Sequence, residues 1–162
     1  MREPIPGGPG WHMNGDDLRG EITDLDAYMT TYADDPYLRV VVALFQRDTA
    51  AARAAIDPLL AHAPDDLRLL ALEAEIWRDE GRFDDAADRY RRLIWGANRP
   101  TLQATLTQHL GKVHFAAGQF TDATECFQRA LTLRVDNGAS TDLVESSRRA
   151  LARAREEAGR RP

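Results

Sequence analysis

The chain has 162 residues, 43% of them hydrophobic, which is enough for one compact domain with a real core and excludes an overall disordered chain. Its net charge of −5 is uneven, with 5 basic and 12 acidic side chains in residues 1–66 against 16 and 14 in residues 67–162, so no nucleic-acid partner is expected. The single cysteine, Cys126, excludes an intramolecular disulfide and a cysteine zinc cluster.

Residues 1–15 hold three prolines and four glycines with no apolar period, and are predicted to be a disordered arm. Trp11 within it is expected to dock on its own domain or lie exposed, with docking on a partner as the alternative. From Asp16 the residues Leu18, Ile22, Leu25, Met29 and Tyr32 recur at spacings of four and three, the pattern of one helix face. Asp34-Asp35-Pro36 breaks this first helix. Tyr37–Gln46 and the segment after Asp48 read as a helical hairpin without a glycine at its turn, and Pro58 should bend or interrupt its second helix.

Residues 67–80 and 84–95 form a second helix pair, and residues 101–117 and 121–135 a third. Their turns repeat each other 37 residues apart: Gly81-Arg82-Phe83-Asp84-Asp85-Ala86 and Gly118-Gln119-Phe120-Thr121-Asp122-Ala123, each followed by an aromatic, Tyr90 or Phe127. Glycine ends the incoming helix in a left-handed conformation, Asp84 or Thr121 caps the next helix, and the alanine lets the two helices approach. The triplets Tyr37/Val41/Leu44, Leu70/Ala74/Trp77 and Thr107/Gly111/His114 follow a large, small, large packing logic. A last helix, 141–158, has Leu143, Ser147, Ala150, Leu151 and Ala154 on one side and is dense in arginine and glutamate elsewhere.

These glycine turns and triplets resemble the tetratricopeptide repeat, a family of interaction scaffolds. The resemblance covers about residues 34–136, in units 34–66, 67–100 and 101–136, inside a single helical domain spanning 16–158. It implies an all-α fold, a right-handed α-α superhelix of about eight antiparallel helices. It also implies a concave groove lined by Leu38, Val42 and Phe45, then Ala71, Glu75 and Arg78, then Gln108, Lys112 and Phe115. Each trio runs i, i+4, i+7 and falls on one helical stripe. The implied function is a non-catalytic scaffold that grips a protein or peptide partner in this groove. The chaperone-tail clamp of some family members is not expected, because Leu38 and Val42 are apolar where it needs polar donors. The alternatives are a homo-oligomerisation module that uses the apolar stripe and, third, an enzyme.

The side chains that could carry chemistry have structural readings. His109 and His114 are five apart and miss the spacing of a helical zinc site, and His62 lies at a helix end. The pairs Asp16-Asp17, Asp34-Asp35, Asp65-Asp66 and Asp84-Asp85 are read as helix caps, Cys126 as a half-buried thiol, and the run Arg148, Arg149, Arg153, Arg155, Arg160 and Arg161 as a solvated face. No catalytic residue, metal site or cofactor is therefore expected. No apolar run approaches the ~20 residues of a membrane span and no signal peptide is legible, so no membrane partner and a cytoplasmic protein are expected. Arginine in place of lysine, with high alanine, suggests a bacterial source. Within the expected groove, Phe45 and Phe115 are assigned to the binding surface rather than the core. The competing reading is that the N-terminal helix folds across the Phe45 stripe through Ile22, Leu25 or Met29.

Overall fold

The computed structural model describes residues 1–160. It divides into two compact units, the first Met1–Arg82 and the second beginning at Phe83. Helices dominate both.

The first unit opens with a small antiparallel sheet, β1 (Ile5–Gly8), β2 (Trp11–Met13) and β3 (Gly20–Ile22), in the order β1-β2-β3. Ile5 pairs with Met13, Trp11 with Ile22, and Met13 with Gly20, with a register shift between Pro6 and Gly8. The predicted disordered arm over residues 1–15 is thus folded. Proline is tolerated here because β1 is an edge strand, where a missing N–H breaks no interior ladder. The first half of the helix predicted from Asp16 is also replaced, and the helix begins only at Leu25. The Asn14 side chain accepts from the N–H of Asp16 at 2.7 Å, the N–H of Asn14 donates to the Arg19 carbonyl at 2.7 Å, and a tight loop leads into β3. This turn chemistry outcompetes the apolar period. Leu18 in the loop has φ 60° and is fully buried, so burial offsets the cost of left-handed backbone.

The helices begin at α1 (Leu25–Thr31), where Asp24 caps the N–H of Ala27. Then come α2 (Leu38–Phe45), α3 (Thr49–His62) and α4 (Leu67–Asp79), close to the predicted bounds. Asp48 caps Ala51 at 2.8 Å, and Asp66 caps both Arg68 and Leu69 at 2.9 Å. Val40, Ala43, Ala52, Ile56, Leu69 and Ile76 form a buried apolar cluster between these helices. The buried stripe of α2 is therefore Val40/Ala43 rather than the expected Val41/Leu44. Helix α3 continues through Pro58, without the expected interruption.

In the second unit, α5 (Phe83–Gly96), α6 (Pro100–Ala116), α7 (Phe120–Asp136) and α8 (Thr141–Arg160) pack in succession. Pro100 stands in the first turn of α6, where its missing N–H costs no helical bond. α5 and α7 begin at Phe83 and Phe120, ahead of the expected caps. Asp84 and Asp85 therefore sit inside the first turn, and α7 starts behind Gln119 without a side-chain cap bond.

Four helix ends close in one geometry, a residue with positive φ whose N–H bonds back three residues while the next N–H bonds back five. Arg47 and Asp48 reach Leu44 and Ala43, Gly81 and Arg82 reach Arg78 and Trp77, Gly118 and Gln119 reach Phe115 and His114, and Gly138 and Ala139 reach Val135 and Arg134, at 2.8–3.2 Å. This Schellman pairing satisfies carbonyls that a helix end leaves open. At the glycine-free turn Arg47 takes φ 60°, helped by ion pairs to Asp17 and Glu21, both at 2.9 Å.

Gly111 faces α7 closely enough that a Cβ there would lie 2.6 Å from the Phe127 ring and 3.1 Å from Cys126 Cβ. Gly111→Leu should therefore cost about 1–3 kcal/mol through overpacking, read as a lowered unfolding midpoint. An unchanged midpoint would contradict the α6–α7 packing.

Candidate functional site

Several of the nine residues expected to line one groove lie beneath a neighbouring element. In the first unit Phe45 lies beneath the N-terminal segment: its ring centroid is 5.2 Å from that of Trp11 and 5.8 Å from that of Tyr28. Gly20 allows this, because a Cβ at that position would collide with the Phe45 ring. The Trp11 indole N–H donates to the Tyr32 hydroxyl at 3.3 Å, and burial pushes the Tyr28 hydroxyl up to about 12, so Tyr28 remains neutral in the cluster. The assignment of Phe45 to an open groove is thus corrected. It is half-buried, with Trp11, Gly20 and Tyr28 against its ring, and its remaining surface lines a small concavity with Ile22 and Leu25.

Arg78 is also covered, only 6% exposed, with Glu75 at 2.8 Å and Asp79 at 3.2 Å. Arg19, from the loop before β3, pairs with Asp79 at 2.8 Å and ties the sheet to α4. Val42, Ala71 and Glu75 are half-buried.

In the second unit α8 lies over the expected stripe of α6. Ser147 Oγ donates to Gln108 Oε1 at 2.8 Å and accepts from Arg134 Nη1 at 2.8 Å, while the Arg153 guanidinium stands 5.2 Å from the Phe115 ring centroid. Gln108 and Phe115 are 3% and 7% exposed, so neither belongs to an open surface, and Lys112 is half-buried. The physical reason is common to both units. An apolar stripe left by one hairpin is worth more covered than wet, and a flanking element covers it.

Leu38 alone of the nine lines the larger open concavity, a groove of about 820 Å3 in the first unit. Its lining includes the small side chains of Ala43, Ala51, Ala54 and Ala55 and the apolar side chains of Met29, Leu38, Pro58 and Leu59. The sequence reading missed it because it lies between the faces of α2 and α3, outside the i, i+4, i+7 stripe. Pro58 and Met29 were the available signals. Pro58 has no N–H for the carbonyl of Ala54, which leaves a backbone acceptor on the α3 wall.

Polar groups rim this groove at one end. Arg68 Nη1 donates to Asp35 Oδ1 at 2.7 Å, and this guanidinium holds the Asp35 carboxyl below its usual range. Tyr37 donates its hydroxyl hydrogen to Asp66 Oδ2 at 2.7 Å, with Arg68 lying over its ring. Arg39, exposed on α2, lines the groove and makes no ion pair among the described residues. A smaller concavity of about 480 Å3, with Glu21, Phe45 and Arg47 in its lining, lies beside β3.

The groups considered for chemistry are engaged structurally. His114 Nδ1 lies 2.5 Å from Gln119 Oε1, His109 stacks on Tyr90, His12 lies 3.1 Å from Glu21, and His62 closes the last turn of α3. Burial pushes the Cys126 thiol up to about 11, and Asp122 and Glu125 add to the shift, so the nucleophilic thiolate is scarce at neutral pH. Of the acidic pairs, Asp66 caps a helix. Asp16 and Asp17 do not cap one: Asp16 binds Arg2, and Asp17 binds Arg47 and the N–H of Arg19. Arg148, Arg149, Arg153 and Arg160 pair with Glu145 or Glu157, and Arg155 donates to Gln128, while Arg161 lies outside the described residues. Among the described residues no cluster of His, Cys, Asp and Glu could hold a metal ion, and no helix is long and apolar enough to cross a membrane.

No family model, curated protein or solved structure matches this chain.

The Trp11–Phe45 contact yields a test. Phe45→Ala should destabilise by about 1.5–3 kcal/mol, since the half-buried ring loses its contacts with Trp11 and Tyr28. The loss in the double variant with Trp11→Ala should fall short of the sum of the two single losses by about 0.5–1.5 kcal/mol, because the rings share one contact. Strict additivity in denaturant unfolding would mean that the rings do not touch.

Proposed function

We propose that this chain is a non-catalytic binding module of the tetratricopeptide-repeat kind, and that the groove of α1, α2 and α3 takes an amphipathic helical segment of a protein partner. The groove carries the reading. Its alanines leave room for side chains from a second helix, Met29, Leu38 and Leu59 offer apolar contacts for the hydrophobic anchors of that helix, and Arg39 in its lining offers a positive charge to an acidic residue beside those anchors. Helix-in-groove recognition draws its affinity from such anchors and its register from the rim charge.

Right-handed superhelical stacking of the hairpins belongs to the same proposal. Its support is the recurrence of one turn geometry at Arg47, Gly81 and Gly118, spaced by 34 and 37 residues. The contacts of His12, His109 and His114 and the raised thiol pKa of Cys126 support a role in holding rather than transforming, and the lone cysteine fits a reducing, cytoplasmic setting.

Selection from displayed random peptides long enough for three or four helical turns tests the binding site. Selected peptides should carry apolar residues at helical spacing with an acidic neighbour. Leu38→Glu and Ala55→Arg should each weaken them at least about tenfold, while Arg39→Glu should reverse the preference for the acidic residue. Binders indifferent to all three substitutions would place the site elsewhere, and binders with period-two apolar residues would mean an extended ligand.

A further inference from the structure

Helix α5 presents a second surface, made of residues that the groove does not use. At about 100° per residue, Asp84, Asp85, Asp88, Arg91, Arg92 and Trp95 fall within an arc of about 120°, and all six are exposed. Ala86, Ala87, Tyr90 and Leu93 occupy the opposite, buried side. The face is segregated along its length, with three carboxylates in the first half and two guanidinium groups and an indole in the second. The helix dipole accounts for the order of the charges. It does not account for Trp95, which at 93% exposure is the most solvent-exposed aromatic among the described residues, since a tryptophan side chain gains by leaving water.

We propose that two copies of this chain pair through this face, with their α5 helices antiparallel about a twofold axis at the level of Tyr90. Reversal of one helix against its copy is what this charge order demands. The pairing sets Asp88 opposite Arg92 of the second copy and the Trp95 indole over the Asp84–Asp85 turn of the second copy, where its N–H meets a carboxylate. Each contact then occurs twice, as an isologous interface requires. Parallel pairing would set like charges against like. Arg92 has no ion pair among the described residues, and Arg91 has an exposed one with Asp88 at 2.8 Å, which is readily exchanged for a partner across the interface. A membrane or a nucleic acid would also attract arginine and tryptophan, but the three carboxylates on the same face and the net charge of −5 oppose a polyanion.

The 14 residues of α5 span about 21 Å, so the contact falls below the ~1,200 Å2 of a stable interface and the dimer is weak, reversible and salt-sensitive. Sedimentation velocity of the full chain from micromolar to millimolar concentration should show its mass rising from 18.1 kDa toward twice that value at low salt, with less dimer at high salt. Trp95→Ser should raise the dissociation constant about thirtyfold, as loss of a central aromatic anchor does. Asp88→Arg and Arg92→Asp should each abolish pairing while circular dichroism stays unchanged, and mixing the two variants should restore a heterodimer, because both sets of opposed charges become attractive. A chain that stays monomeric throughout overturns the proposal. So does a dimer indifferent to Trp95→Ser, a mixture of charge variants that fails to pair, or Trp95-dependent binding to anionic vesicles by a monomer.

Discussion

A helical hairpin cannot bury both of its faces, and the rest of this structure follows from that constraint. Helices α2 and α6 each pack one stripe against the hairpin partner and leave another stripe, with Phe45 on the first and Gln108 and Phe115 on the second. A short sheet with α1 covers the former through Trp11 and Tyr28, and α8 covers the latter through Ser147 and Arg153. Covering a side chain of this size is worth about 1.5–3 kcal/mol, against about 0–1 kcal/mol for an exposed ion pair. Apolar cover therefore holds these elements in place, while the pairs of Arg47 with Asp17 and Glu21 fix their orientation.

The same constraint decides which surfaces remain for partners. With Phe115 covered and Phe45 half-buried, the surfaces that remain for partners include the groove between the flanks of α2 and α3 and the charged face of α5 with its exposed Trp95. The buried arginines show how polar groups are accommodated beneath the covers. Arg78 is neutralised by Glu75 and Asp79, whereas Arg134 bonds to Ser147 and to the Leu143 carbonyl, and burial alone pushes its pKa down. Such a group fixes the seating of α8 on α7, since any shift would strand a charge in the core.

Helices α2 to α8 were legible because they carry periodic apolar residues bounded by signals such as the Asp65-Asp66 cap and the turn glycines Gly81 and Gly118. The turn at Arg47 was found from its flanks, although no glycine announces it. The N-terminal 24 residues were not legible. Short strands rich in glycine and proline have no periodicity to read, and the chance spacing of Leu18, Ile22, Leu25 and Met29 imitates a helix. Stripe spacing located Phe45, Gln108 and Phe115 on their helices but could not show what lies over them, because cover depends on contacts distant in sequence. The groove escaped for a related reason, its walls coming from three elements that no single period connects.

The claim that the N-terminal segment is a folded cover for α2 is tested most directly by hydrogen exchange at the amides of Asn14 and Thr23, which donate to the carbonyls of Arg19 and Gly10 at 2.7 and 2.8 Å. Both should exchange on the order of a hundredfold or more slower than in an unfolded chain, and Phe45→Ala should release both together. Exchange at the unprotected rate while the amides of α2 stay protected would show that the segment does not cover the helix.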